Sequence, residues 1–182
     1  TYKALENLPI PEQRKRLLDP ELRRKILAEK PDEAEVAKLS QFRQLVTSRW
    51  DKFFTMDDPP DYEPGPEKSV AAIAARTNHT PDEIAYDYIV EQNQYLFFPV
   101  VNYVNGDHAE IHAMLTDSGT LLGLSDGGAH CTSIVDAGVP TYMLAHWGRD
   151  RRRGPRLPVE FLVKRQTSET ADFFGLQDRG RL

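Results

Sequence analysis

Apolar residues recur at helical spacing through the first 45 positions, at Leu5, Leu8, Leu17, Leu18, Leu22, Ile26 and Leu27, set among Lys, Arg and Glu. Apolar positions three or four apart fall on one stripe of a helix. Prolines at 9, 11, 20 and 31 cut the pattern into short helices with charged outer faces. "RWDKFFTM" then has the apolar content of a strand, and "DDPPDYEPGPE" carries four prolines in eleven residues, which predicts an irregular loop or lid. "KSVAAIAART" predicts a short amphipathic helix. Thr80-Pro81-Asp82-Glu83 is a capping box with proline at the first helical position, opening a helix that carries Ile84, Tyr88 and Ile89.

The period changes after residue 94. "YLFFPVVNYV" (95–104) is β-branched and aromatic over the length of a strand. "GDHAEIHAMLTDSG" follows as a helix with Asp107 as N-cap, Glu110 three residues on and Gly119 at the stop. "TLLGLSD" is the next strand. Strand, helix and strand from about 96 to 126 have the size of one βαβ unit with a right-handed crossover. Beyond the glycines come a helix near 140–148, an arginine-rich loop, the helix "LPVEFLVKRQ" with Pro158 in its first turn, and "SETADFFGL", ending at Gly175. The pattern predicts an α/β chain forming one domain over 1–182, helical in 1–45 and built of βα units and terminal helices in 46–182. It contains no internal repeat.

Composition narrows the class. The 182 residues are 40% hydrophobic and 28% charged, which suits a soluble globular domain. A net charge of −5 argues against a general nucleic-acid binder, which carries a basic face. The single cysteine, Cys131, rules out an intrachain disulfide framework and fits a reducing compartment, so the expected location is cytoplasmic. No apolar run reaches the roughly 18–20 residues of a membrane span, and the charged amino end has no signal-peptide apolar region.

The candidate chemistry centres on "LLGLSDGGAH", residues 121–130, where an apolar strand ends on Asp126. In parallel α/β sheets and barrels, ligands meet the carboxyl ends of strands, so Asp126 faces a site under that architecture. Gly127 and Gly128 allow a sharp turn and close backbone approach. The alternative is an ordinary strand-ending Asp-Gly turn. Elsewhere, His108 and His112 stand one helical turn apart in "HAEIH", a spacing that can chelate a metal. Glu110 is misplaced for H-E-x-x-H, however, and a solvated helix face is the expectation. Arg149, Arg151, Arg152, Arg153 and Arg156 could bind phosphate or carboxylate, but their setting predicts an exposed loop pairing with acids. Trp50, Trp147 and the pairs Phe97-Phe98 and Phe173-Phe174 are expected in the core. Glycines 123, 127 and 128 do not make a nucleotide-binding fingerprint.

"GLSDGGAH", "PTYMLAHWGRDRRRG" and "LPVEFLVKRQTSETADFFGLQDRGRL" together resemble the carboxyl-terminal barrel segment of the amidohydrolase superfamily, specifically the N-acyl-D-amino-acid deacylase (D-aminoacylase) group. The likeness covers residues 70–182 well and the first third loosely. It implies the last few βα units of a metal-dependent (β/α)₈ (TIM-type) barrel with flanking helices. Asp126 matches the acid/base at the end of the eighth strand, and would also share a metal with upstream ligands. It implies that His130 orients a substrate carboxylate, a structural hydrogen bond being the alternative. It implies zinc as cofactor and a small N-acyl amino acid as substrate.

The five histidines, at 79, 108, 112, 130 and 146, include no His-x-His pair, and Cys131 is misplaced for the family's ligand cysteine. The expectation is therefore an incomplete barrel, inactive alone, completed by a preceding part of the same protein or by a second copy. The competing expectation is a non-catalytic α/β binding or assembly module.

Overall fold

The computed structural model describes residues 1–30, 32, 36–37, 49–99, 103, 105–123, 125, 127–128 and 136–181. Two compact units divide the chain, Thr1–Val101 and Asn102–Leu182. Helices dominate both, and among the described residues there is a single two-stranded sheet.

The first unit opens with α1 (Ile10–Leu17) and α2 (Pro20–Ala28). The prolines start these helices rather than merely separating them. Pro9 is the N-cap of α1 and Pro20 the first residue of α2, positions where a missing N–H costs nothing. Asp19 caps α2 by accepting from the backbone N–H groups of Glu21 and Leu22. Neither helix has a fully buried residue, so polar ties hold them. Arg23 makes a two-pronged ion pair with Asp87 at 2.7 Å on each prong, and the Tyr86 hydroxyl donates to the Leu17 carbonyl at 2.7 Å.

The partners of those ties lie on the best-packed pair of the unit, α3 (Val70–Thr77) and α4 (Pro81–Val90). Val70, Ala74, Ala85 and Val90 are its buried residues. The predicted capping box is present in full: Glu83 N–H donates to Thr80 Oγ1, and Thr80 N–H donates to the Glu83 carboxylate at 2.8 Å. The Thr80 N–H first, and the Thr80 hydroxyl with it, donate to the Glu83 carboxylate and hold it below its usual range. Asn78 ends α3 in the left-handed conformation, at φ 57°.

Before α3, "RWDKFFTM" forms a 3₁₀ turn and then β1 (Phe54–Thr55), shorter than the predicted strand. The proline-rich stretch is irregular as expected. Lys68 ties it down through ion pairs to Asp57 at 2.6 Å and Asp61 at 2.8 Å, which push its ammonium pKa upward.

The strand predicted over 95–104 is reduced to β2 (Leu96–Phe97) among the described residues. It pairs antiparallel with β1, Phe54 opposite Phe97 and Thr55 opposite Leu96. Pro99, which lacks a donor, follows two residues later. Phe53 stacks on Phe98 with ring centroids 4.6 Å apart.

In the second unit, α5 (Ala109–Thr116) lies where a helix was expected, but the cap is displaced. His108 is the N-cap residue, and Asp107 reaches in from outside to accept from the Ala109 N–H. Glu110 closes no capping box; it accepts from Asn105 Nδ2 instead. The helix stops three residues before Gly119, where Thr116 and Thr120 turn their hydroxyls onto its last carbonyls. Residues 120–123 and 125 are not in a strand, and the rest of that predicted strand lies outside the described residues.

α6 (Val139–Tyr142) runs directly into a π-helix, Met143–Asp150, and is followed by α7 (Val159–Gln166) and α8 (Ser168–Phe173). Leu115, Met143, Trp147, Leu157 and Leu162 form the core of this unit, with Ile111, Leu122, Tyr142, Leu144 and Phe161 around them. Trp147 and Leu162, at 1% and 0% exposure, each contribute about 1.5–3 kcal/mol by burial. Gly148 permits this contact, because a Cβ there would sit 3.3 Å from Leu162 Cδ1. The expectation that Phe173 and Phe174 belong to the core is overturned. They are 69% and 67% exposed, because α8 turns its buried face inward at Ala171 instead.

Candidate functional site

Asp126, His130 and Cys131 lie outside the described residues, so the predicted acid/base and its neighbour have no placement to report. Their flanks are described. Gly128 has φ +102°, in the left-handed region that favours glycine. A Cβ on Gly127 would lie 3.1 Å from both Cα and Cβ of Ala137. Both glycines therefore answer to a geometric need, one to backbone conformation and the other to close approach. Upstream, Thr120 is fixed from two sides: its hydroxyl donates to the Met114 carbonyl and accepts from Arg165 Nη2 at 2.8 Å. Arg165 is only 3% exposed and also pairs with Glu169 at 2.9 Å.

The chemically richest cluster of the second unit is one that periodicity assigned to a solvated face. His108 and His146 are 5% and 6% exposed. Their ring centroids are 5.9 Å apart at 80°. Tyr103 meets His108 edge-on at 5.0 Å, Tyr142 stacks on His146 at 5.1 Å and 6°, and Trp147 contacts both imidazoles. His112 sits 6.2 Å from the Trp147 ring, and burial, reinforced by the charge of Arg151, lowers its pKa from the ordinary 6.5. The reading of "HAEIH" as a solvated face thus fails at His108, because the residue closes the N-terminus of α5 under the aromatic layer. The available signal was aromatic. Tyr103 stands five residues before His108, and Tyr142 stands one helical turn before the adjacent His146-Trp147.

The arginine cluster divides. Arg149 pairs with Asp150 at 2.7 Å, as expected of an exposed loop. Arg151 instead is 5% exposed, lies 4.5 Å over the Trp147 ring, and donates to the Pro155 and Arg153 carbonyls. Arg153 donates to the Gly106 carbonyl at 2.7 Å, and Arg156 to that of Arg149 at 2.9 Å. These guanidiniums fasten the loop to its own unit through backbone oxygens.

No protein-family model, curated protein or solved structure matches the chain. No helix among the described residues is long and apolar enough to cross a membrane.

Proposed function

We propose that the chain is the carboxyl-terminal segment of a metal-dependent amidohydrolase barrel, cleaving the amide bond of N-acyl-D-amino acids. The observation that carries the reading is the run "GLSDGGAH" followed by "PTYMLAHWGRDRRRG" and the terminal "FFGLQDRGRL", which in combination resemble the D-aminoacylase group. The close approach at Gly127, where a Cβ would meet Ala137, and the positive φ of Gly128 support it, since they favour glycine at the two positions that follow Asp126 in that motif.

In this reading the Asp126 carboxylate accepts a proton from the attacking water and returns it to the leaving amide nitrogen, acting as base and then acid. His130 orients the substrate carboxylate. Zinc, when bound, supplies a polarised carbonyl and a more acidic water. The chain alone does not fit the family's zinc set, since its histidines include no His-x-His pair. The barrel's metal-holding strands therefore come from a preceding part of the protein or from a partner.

The test is release of free amino acid from N-acetyl-D-amino acids with added zinc. The 182 residues alone are expected to be inactive. A longer protein containing the metal-binding strands is expected to turn over, and to lose about 10²–10⁴-fold on Asp126→Asn. Metal-dependent turnover by the isolated chain would overturn the incomplete-site reading. An unimpaired Asp126→Asn variant would remove Asp126 from the chemistry. Inactivity of the longer protein would leave a binding or assembly module as the function.

A further inference from the structure

We propose that His108 and His146 form a two-imidazole binding site for a zinc-class divalent cation. The site is argued from the second unit alone and does not rest on the amidohydrolase reading. The two residues come from separate elements, His108 from the N-cap of α5 and His146 from the middle of the π-helix. Their side chains nevertheless converge: one ligand nitrogen of each lies within 4.8 Å of the other. Nδ1 of His108 and Nε2 of His146 are both shielded from solvent. Tetrahedral zinc, with Zn–N bonds of about 2.0–2.1 Å, holds two nitrogens about 3.3 Å apart, so modest rotation of the rings closes the gap.

The surroundings are those of a ligand pair. Tyr103, Tyr142 and Trp147 pack on the imidazoles and hold the orientation of their rings. The π-helix, whose wide turns recur at functional sites, carries His146 and Trp147 inward side by side. Arg151, seated on Trp147, adds positive charge nearby. That charge disfavours cations held by charge alone, such as Mg²⁺ or Ca²⁺, and leaves those with strong imidazole bonds, zinc, cobalt, nickel and copper. Water fills the remaining coordination positions.

The test titrates the full, metal-stripped chain with Co²⁺ and Zn²⁺ near neutral pH, with Mg²⁺ as control. Saturable binding of one equivalent is expected, with a visible Co²⁺ band and no response to Mg²⁺. His108→Gln and His146→Gln are each expected to weaken binding at least about tenfold, while His79→Gln matches the wild type. A second readout uses the folded wild type. Zinc should shift the ring nitrogens of two histidines, one with proton contacts to Tyr103 and the other to Tyr142. Absence of saturable binding, wild-type affinity in the double variant, or zinc-shifted imidazoles with other neighbours would each overturn the proposal. Amino-acid release is not part of this readout, so failure here and failure of the amidohydrolase reading are separable.

Discussion

The guanidinium carbon of Arg151 lies 4.5 Å from the Trp147 ring centroid, and both side chains are almost wholly buried, at 5% and 1% exposure. A buried cation on an indole face is worth about 2 kcal/mol, and the same guanidinium satisfies two carbonyls of its own loop. One residue thus joins the core of the second unit to the turn that follows the π-helix.

Replacing Arg151 by Ala is expected to destabilise the second unit by about 2–4 kcal/mol, combining lost stacking with carbonyls left unmatched. Arg151→Lys should recover less than half of that, because an ammonium cannot span both carbonyls while lying flat on the indole. Urea unfolding followed by Trp147 fluorescence in a Trp50→Phe background reads both. Equal stability of Arg151→Ala and wild type would show that the stacking contributes nothing.

Gly154 has φ +138°, and a Cβ there would meet Arg151 Nη2 at 2.7 Å and Cζ at 2.8 Å. Gly154→Ala should therefore cost about 1–3 kcal/mol, combining backbone strain with displacement of the guanidinium. The Arg151→Ala background should reduce the penalty by removing the collision, leaving only the strain. A double-mutant cycle measures this, and simple additivity would contradict it.

His112 has a folded-state pKa below its ordinary 6.5, through burial first and Arg151 second. Below the unfolded value the unfolded chain binds more protons than the folded one, so stability falls as pH drops from about 6.5 toward the folded pKa and then levels off. His112→Gln should flatten that part of the profile while matching wild type above about pH 7.5. Thermal melts of both proteins across this range test it. Parallel profiles would exclude His112 as the titrating group.

Thr80→Ala removes the hydroxyl half of the capping box at the start of α4 and should cost about 1 kcal/mol. Hydrogen exchange should report the loss in the first turn of α4 before it reaches Val90. Uniform protection across the helix would argue against local fraying.

Much of the helical framework was legible because helix starts are written locally. Thr80-x-x-Glu83 and the prolines at 20 and 158 each mark a boundary found in the structure. Less legible was anything set by contacts distant in sequence. Residues 95–104 have the composition of a long strand, yet among the described residues only Leu96–Phe97 pairs, and with β1 more than forty residues earlier. The exposed Phe173 and Phe174 follow the same rule, since aromatic content cannot say which side of a six-residue helix meets the core. Of the candidate site, the glycine requirement after Asp126 was readable from sequence. The histidine cluster was not, because His108 and His146 meet only once α5 and the π-helix pack.

The π-helix also bears on how this region can change in length. In an α-helix each residue turns the chain by about 100°. Deleting one residue between Met143 and Asp150 would favour reversion of the wide turns to ordinary helix, and would swing everything beyond the deletion to a new heading. Arg151 would leave the indole, and Leu157, whose N–H donates to the Trp147 carbonyl at 2.9 Å, would lose its mooring. Amino-acid exchanges on the outer surface of this segment are expected to be tolerated, and changes in its residue count are not. A library of single-residue deletions should show an abrupt intolerant window here, in contrast to permissive positions in the exposed carboxyl-terminal turn after Phe174.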